Sequence, residues 1–220
     1  MSKKDMLGSL KRALVGLPVQ HHGLVLDVAN KLSTGNGDAI HSALVLALCE
    51  VVKPKFDVLA DGTITFTVTS DGTTGLEWIG RLKAAGHKVN DYTEQLLRSS
   101  DFVPTNGMTT KIAVLPGKLW TTNSNRLTKN IRAEALKRKL VKPNVEVACL
   151  IRMMFTNEEI RSMGLHRLVI MHKPINDVGG SSGLLTVGAG GSGSWLGAYW
   201  DDPDYRWDSQ DGFVFAVPQV

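Results

Sequence analysis

The sequence predicts an α+β protein, in which a helix-rich N-terminal region precedes a domain with two helices and an antiparallel sheet. Three observations support this fold class. Apolar residues recur at helical spacing over much of residues 1–105. From residue 108 onward the order changes to one strand, then helices, then several strands. Turns rich in glycine, aspartate and proline separate those later strands.

The N-terminal region, residues 1–105, begins with two predicted helices. Residues 21–32 and 39–52 each carry an apolar stripe at helical spacing, and Pro54 ends the second helix. The region has no function that the sequence indicates. We treat it as a small domain or docking module.

A strand and two further helices complete this region. Residues 63–69 alternate threonine with apolar residues, which predicts a strand whose threonine face meets water. Thr74 and Glu77 form a capping box, in which each side chain can bond the other residue's backbone amide, so a helix begins there. Asp91 and Glu94 repeat the device before another helix.

The second domain is predicted to span residues 108–220, after a boundary at 101–108 that contains Pro104 and Gly107. Thr156 and Glu159 make a third capping box. The predicted elements are a strand at 111–115, helices at 126–140, at 144–155 and after Thr156, and strands at 168–171, 184–187, 195–200 and 213–217.

Two glycine-rich runs lie between the later strands, at 179–183 and 188–194. Both have the composition of phosphate-binding loops. Neither contains the lysine of a phosphate loop or lies between a strand and a helix, and a strand follows each. We therefore predict that both are hairpin loops.

Charge is distributed unevenly along a chain whose net charge is +4. Residues 195–220 contain five acidic residues and one basic residue, whereas residues 126–142 contain seven basic residues and one acidic residue. The basic helix could bind nucleic acid, although such a run is more often a solvated face and has no aromatic residue to stack on a base. Nucleic-acid binding remains an alternative. The basic residues are Arg126, Lys129, Arg132, Lys137, Arg138, Lys139 and Lys142.

Motifs for catalysis or metal binding are absent from the sequence. The six histidines show no metal-ligand spacing, no nucleophile elbow is present, and we expect no cofactor. Cys49 and Cys149 are predicted to be buried free thiols. The C-terminal aspartates leave two alternatives open, a carbohydrate-binding or carbohydrate-cleaving site beside aromatic residues and a calcium site.

No segment has the length and apolarity of a membrane helix, and the N-terminus does not resemble a signal peptide. We therefore expect no membrane association, and the cytoplasm is the default location. The sequence does not predict an oligomeric state.

Aromatic residues cluster near the C-terminus, where five of the eight Trp and Tyr residues lie between Trp195 and Trp207. Small and acidic residues separate them. Large rings combine contact area with few rotatable bonds, while short polar side chains adapt their hydrogen bonds. This composition is typical of a binding surface.

Three motifs in this segment, Gly193-Ser194-Trp195, Pro203-Asp204-Tyr205-Arg206 and Gly212-Phe213, resemble the end of the C-type-lectin fold. The branch they are most similar to is shared by formylglycine-generating enzymes and the variable proteins of diversity-generating retroelements. The resemblance implies a lectin-like domain over about residues 108–220. Val214 replaces the arginine usual after Gly-Phe. No cysteine follows Cys149, so the oxidase chemistry of those enzymes is not implied.

The resemblance to retroelement variable proteins implies a non-catalytic binding protein whose ligand is a macromolecule, either a protein or a glycan. In that family, mutagenesis directed at adenines favours residues such as Asp, Tyr and Ser at exposed positions. We expect a buried framework formed by Trp195, Leu196, Pro203, Trp207, Phe213 and Phe215. The predicted ligand-binding residues are Ser192, Ser194, Tyr199, Trp200, Asp201, Asp202, Asp204, Tyr205, Asp208, Ser209 and Asp211.

Overall fold

The computed structural model describes residues 55–177, 179–188 and 193–218. Residues from Lys55 onward form one compact unit. The helices predicted at 21–32 and 39–52, together with Cys49 and Ser192, lie outside the described residues. The expected helical start of the chain therefore stays a prediction.

Within these ranges the chain forms five α-helices and a nine-stranded sheet, so the fold mixes α and β elements as predicted. The helices are α1 Gly75–Ala84, α2 Asp91–Leu97, α3 Thr128–Lys137, α4 Val147–Met154 and α5 Asn157–Ser162. The strands are β1 Asp57–Val58, β2 Ile64–Asp71, β3 Lys88–Val89, β4 Asn106–Pro116, β5 Arg167–Ile170, β6 Ile175–Asn176, β7 Ser182–Gly188, β8 Trp195–Trp200 and β9 Asp211–Ala216.

The sheet is mixed rather than wholly antiparallel, which corrects the sequence-based expectation. Its strand order is β1-β2-β4-β9-β5-β7-β8-β3, and β6 also pairs with β7. Neighbouring strands are antiparallel except for two pairs, β5 with β9 and β3 with β8. Both parallel pairs join strands that are distant in sequence, so no hairpin signal marks them.

The boundary predicted at residues 101–108 lies inside the compact unit, not between two units. The reason is that β2, on its N-terminal side, pairs with β4, on its C-terminal side, from Ile64 opposite Val114 to Asp71 opposite Asn106. Residues 55–105 thus contribute strands β1, β2 and β3 to the same sheet as the later strands. The threonine face of β2 is also divided, because Thr65 is buried while Thr67 is exposed.

Helix starts follow the local capping signals closely. The capping boxes at Thr74 and Thr156 are both present, and each threonine accepts a bond from the backbone amide of the glutamate three residues later. The predicted start of α2 is corrected by one residue. Asn90, not Asp91, caps α2 and accepts from the amide of Thr93.

Two apolar layers sandwich the sheet, since successive side chains of a strand point to opposite faces. In β9, Val214 belongs to the layer that contains α1, α2 and α4, whereas Phe213 and Phe215 belong to the layer that contains α3. Val214 is fully buried. An arginine at this position would place a buried charge in the layer that contains α1, α2 and α4.

His172 is a buried structural residue that joins β7 to the chain after β5. Its Nε2 accepts from the amide of Leu185 at 2.9 Å, and its Nδ1 therefore carries the proton and donates to the carbonyl of Lys173 at 2.7 Å. Burial lowers the pKa of His172 to about 4, so the ring is neutral at pH 7.

Candidate functional site

The loop between β8 and β9, residues 201–210, is docked on the start of α3. The amide of Lys129 donates to the carbonyl of Pro203 at 2.9 Å, and the amide of Thr128 donates to that of Tyr205 at 3.2 Å. Leu127 is the N-cap residue of α3, and its apolar side chain cannot accept a hydrogen bond. The carbonyls of Pro203 and Tyr205 satisfy the first amides of the helix instead. The loop is consequently held in one position.

Ion pairs add to this docking, because the acidic and basic segments of the sequence face each other. Lys129 pairs with Asp204 at 2.6 Å and Arg132 pairs with Asp201 at 2.7 Å. Arg126 is buried, and its Nη1 donates to the carbonyl of Trp120 at 2.8 Å. Much of the basic run is therefore used within the fold and is not presented as a free cationic stripe.

A row of aromatic rings underlies the same loop. Trp207 is only 3% exposed, and its indole Nε1 donates to Thr128 Oγ1 at 3.0 Å. The Tyr205 ring lies 4.5 Å from it between centroids and the Tyr199 ring 5.6 Å, both in edge-to-face geometry. Phe213 extends the row into the core at 6.0 Å. These contacts fix the two tyrosine rings against the sheet.

Arg167 lies beneath this row in a two-point ion pair. Its Nε donates to Asp211 Oδ1 at 2.9 Å and its Nη2 to Oδ2 at 3.0 Å. The guanidinium also stacks 4.5 Å from the centroid of the Tyr199 ring. Burial opposes its charge, but the bonds to Asp211 and the charge of that carboxylate outweigh burial and raise the pKa of Arg167. Arg167 therefore remains a cation.

A cavity of about 500 Å³ opens beside Arg167. Within the described part of the chain, Arg167 Nη1 has no protein partner, so it can donate to a ligand. A cavity of this size can enclose a small molecule or the side chains of a larger one. Its lining residues are Asn90, His166, Arg167, Thr186, Gly188, Trp195, Gly197, Ala198, Tyr199, Asp208, Gln210 and Asp211.

A second, smaller cavity of about 230 Å³ adjoins the first at Ala198 and Tyr199. Aromatic rings dominate it. Helix α2 contributes one ring, β8 two rings and the docked loop another. Its lining residues are Tyr92, Ala198, Tyr199, Trp200, Asp202 and Tyr205.

The aromatic residues predicted as framework and surface separate only partly. Trp207 is buried as expected of framework, whereas Trp195 is partly buried and stacks with Lys88 at 5.2 Å. Trp200 is 70% exposed. Tyr199 and Tyr205 are partly buried, because their rings pack on Trp207. Of the other framework residues, Leu196, Phe213 and Phe215 are buried and Pro203 is exposed.

Among the predicted polar site residues, Asp211 is corrected. It is 2% exposed and holds Arg167 and the amide of Asp208, so it is not on an exposed face, although it lines the first cavity. Asp202, Asp204 and Asp208 are exposed, and Asp201 and Ser209 are partly buried. The remaining serine, Ser194, is partly buried, and its Oγ lies 2.9 Å from His87 Nδ1.

The nine described residues of this set that are exposed or partly buried define what we call the C-terminal face. They are Ser194, Tyr199, Trp200, Asp201, Asp202, Asp204, Tyr205, Asp208 and Ser209.

The strands on either side of each glycine-rich run are antiparallel neighbours, β6 with β7 and β7 with β8, which is the pairing that a hairpin requires; residues 189–192 of the second run lie outside the described residues. The second hairpin has a buried anchor. Arg152 Nη1 donates to the carbonyl of Gly188 at 3.1 Å, and Asn157 Nδ2 donates to that of Gly193 at 3.2 Å. Burial lowers the pKa of Arg152 to about 10, which still leaves it charged at pH 7.

Metal binding finds no geometric support in the described ranges. No three His, Cys, Asp or Glu side chains there approach closely enough to share an ion. The C-terminal aspartates contact different partners, as Asp201 pairs with Arg132 and Asp211 with Arg167. Cys149 is buried and free, and burial raises the pKa of its thiol. Across the same ranges, no helix has the length and apolarity to cross a membrane.

Three residues of the site were missed by sequence reasoning. Arg167 begins a short strand, Tyr92 lies in the first turn of α2, and Asn90 caps that helix. Their local context indicates structure only. They meet the C-terminal face through the parallel pairing of β3 with β8 and of β5 with β9, which no local pattern encodes.

Comparison with known proteins gives no match for this chain, whether to a protein-family model, a curated protein or a solved structure. The chemistry of the C-terminal face and its two cavities is therefore the basis for assigning a function.

Proposed function

We propose that the chain is a non-catalytic binding protein that holds a macromolecular ligand on its C-terminal face. The observation that carries this proposal is the pair of adjoining cavities, which share Ala198 and Tyr199 and are lined mainly by aromatic and short polar side chains. Such rings supply contact area at low entropic cost, and the polar groups select among partners. The exposed ring of Trp200 extends this surface outward.

Preorganisation of the surface supports the same function. The loop carrying Asp202 to Tyr205 is fixed by backbone bonds to α3, and the tyrosine rings are fixed on Trp207. A surface already held in its bound shape loses little entropy when a ligand docks. Rigid support of this kind is expected of a binding site and is not needed by a plain turn.

A lectin-like fold and a diversified C-terminus are part of the proposal. The order of β4, then α3 and α4, then the strands from β5 to β9 resembles the order that the resemblance implies, with the short helix α5 added before β5. Most of the Asp, Tyr and Ser residues in this segment, the types that adenine mutagenesis favours, are exposed or partly buried. The neighbouring DNA tests this directly. A reverse transcriptase and a near-copy of the last coding segment, differing at adenines, are expected, and their absence rules out diversification.

The ligand class is tested with a protein array and a glycan array, each probed with the full chain with and without calcium. We expect specific protein ligands that bind independently of calcium. Binding should be lost in Trp200→Ala and Asp202→Ala and kept in the control Leu136→Ala, whose side chain is equally exposed on α3. Calcium-dependent signals on the glycan array would show that the ligand is a carbohydrate and not a protein. Signals unaffected by all three variants would place the binding surface elsewhere.

Nucleic-acid binding by the basic helix is less well supported, because Lys129, Arg132 and Arg138 already pair with carboxylates. Changing Lys137, Arg138 and Lys139 together to Glu should leave retention on heparin and RNA nearly unchanged. A steep loss of retention, with strong salt dependence in the parent chain, would favour nucleic acid instead.

A further inference from the structure

The smaller cavity, between α2 and the end of β8, has the composition of a cation site. Four aromatic side chains line it together with one carboxylate, and the rings come from α2, β8 and the docked loop. The face of an aromatic ring carries a partial negative charge, so several rings around one space attract an organic cation. A ligand would be held between elements that the sequence places far apart.

Polar groups around this cavity also favour a positive ligand. Asp202 is exposed and forms no ion pair with any described residue. Within the described residues, its carboxylate accepts one hydrogen bond, from the amide of Asp204 at 2.8 Å. Burial raises the pKa of Tyr92, and the nearby negative charge of Asp177 raises it further, so the hydroxyl stays neutral. Arg167, which stacks on the cavity residue Tyr199, is neutralised by Asp211.

The Tyr92 hydroxyl is seated in an unusual way. It is buried and makes no hydrogen bond within the part of the chain that the structure describes. It lies against Gly183, where an added Cβ would be 2.9 Å from the oxygen. Gly183 is the partner of Trp200 in the β7–β8 register, so Tyr92 and Trp200 border the same space.

Size limits what the cavity can hold. At about 230 Å³ it is smaller than the sites that enclose whole drug-sized molecules, which measure about 300–1,000 Å³. A compact head group fits such a space better than a complete ligand. One face of the Tyr199 ring is already occupied by Arg167 and the Tyr205 ring packs on Trp207, so Trp200, which is 70% exposed, offers the most open ring.

We propose that this cavity is an aromatic cage for an alkylammonium head group, formed by Tyr92, Tyr199, Trp200 and Tyr205 with Asp202 at its border. The inference deepens the proposed binding function, on which it rests, by naming the chemistry of the ligand. The head group belongs either to a methylated lysine side chain of a protein ligand or to a small molecule such as choline. Both sources share the same cation.

The test is a titration of the full chain with choline and with a peptide that contains trimethyllysine, followed by the N-methyl proton resonances. Enclosure by rings shifts these resonances upfield. The controls are 3,3-dimethylbutan-1-ol, the uncharged isostere of choline, and the unmethylated peptide. We expect choline to bind roughly tenfold more tightly than its uncharged isostere and the trimethyllysine peptide to bind more tightly than the unmethylated peptide, whose lysine is charged but more strongly hydrated. Binding of the peptide alone identifies a protein ligand, and binding of both charged probes admits small molecules.

Variants then locate the site. Trp200→Ala should weaken binding of the charged probe roughly tenfold, and Trp200→Phe should lose less, since it keeps a ring. Asp202→Asn should weaken binding a few-fold, whereas Leu136→Ala on α3 should have no effect. Trp200 is largely exposed, so these changes leave the fold intact.

The cage is overturned if neither choline nor the trimethyllysine peptide binds, or if the uncharged isostere binds as tightly as choline. Equal loss of affinity in the Leu136 control would also do so. These failures are separable from failure of the proposed function, because the array experiment detects a macromolecular ligand whether or not an ammonium group is recognised.

Discussion

Asp211 holds Arg167 in a two-point ion pair beneath the aromatic row, with N–O distances of 2.9 and 3.0 Å. Removing the carboxylate leaves a partly buried guanidinium without its counter-charge. Asp211→Asn should therefore lower the free energy of unfolding by about 2–3 kcal/mol, measured by urea denaturation. The exposed Asp202→Asn should change it by less than about 0.5 kcal/mol.

A double change tests the coupling of this pair. Arg167→Met combined with Asp211→Asn should cost less than the sum of the two single changes, because no charge is then left unpaired. Additive costs would show that the two residues act independently.

Thr128 and Trp207 connect α3 to the aromatic row through one buried hydrogen bond of 3.0 Å. Thr128→Val keeps the side-chain shape but leaves the indole N–H without an acceptor, which should cost about 1–3 kcal/mol of unfolding free energy. Thr128→Ser keeps the hydroxyl and is the matched control, with a smaller expected cost. If the two variants are equally stable, the bond contributes little to docking the loop.

Gly183 determines the position of Tyr92. A Cβ at this residue would lie 2.7 Å from Leu96 Cδ1 and 2.9 Å from Tyr92 Oη. Gly183→Ala should therefore destabilise the fold by about 1–3 kcal/mol and weaken binding of the ammonium probe. Gly80→Ala is the control, since an added Cβ there meets nothing within 4 Å and favours the helix by about 0.5–1 kcal/mol. Undiminished binding in Gly183→Ala would remove Tyr92 from the cage.

His172 should make stability dependent on pH. Its pKa is lowered from 6.5 to about 4 in the folded chain, so below pH 6.5 the unfolded chain binds the proton more readily. The stabilising contribution of neutral His172 to the free energy of unfolding is fully present above pH 6.5. It is lost as the pH falls toward 4, by about 3 kcal/mol in total. Urea denaturation across this range measures the slope. His172→Gln should remove the part of the pH dependence that His172 causes. An unchanged slope would show that other groups cause it.

Local signals predicted the parts of the fold that local bonds determine. The helix starts at Thr74 and Thr156 follow from capping boxes that span only four residues each. The strand at 195–200 was predicted with its observed bounds, and the hairpins follow from glycine-rich turns. In each case the bonding partners are close in sequence.

Features that depend on distant partners were not predictable in the same way. Helix α3 starts at Thr128 and not at Arg126, because carbonyls of the loop at Pro203 and Tyr205 complete its first turn. The sequence around Asp211 predicts an exposed residue, since nothing near it in sequence indicates that it pairs with Arg167. Tyr92 joined the site only through the packing of α2 on β8.

The pairing of β2 with β4 and the position of Tyr92 together limit how this protein can be modified or exchanged. A fragment cut at residue 108 would lose one wall of the smaller cavity and would expose the edge of β4. Grafting the C-terminal face onto another scaffold therefore requires transplanting residues from Lys55 onward. Recombination would be under the same constraint, because exchanging residues 108–220 alone would break the pairing of β2 with β4.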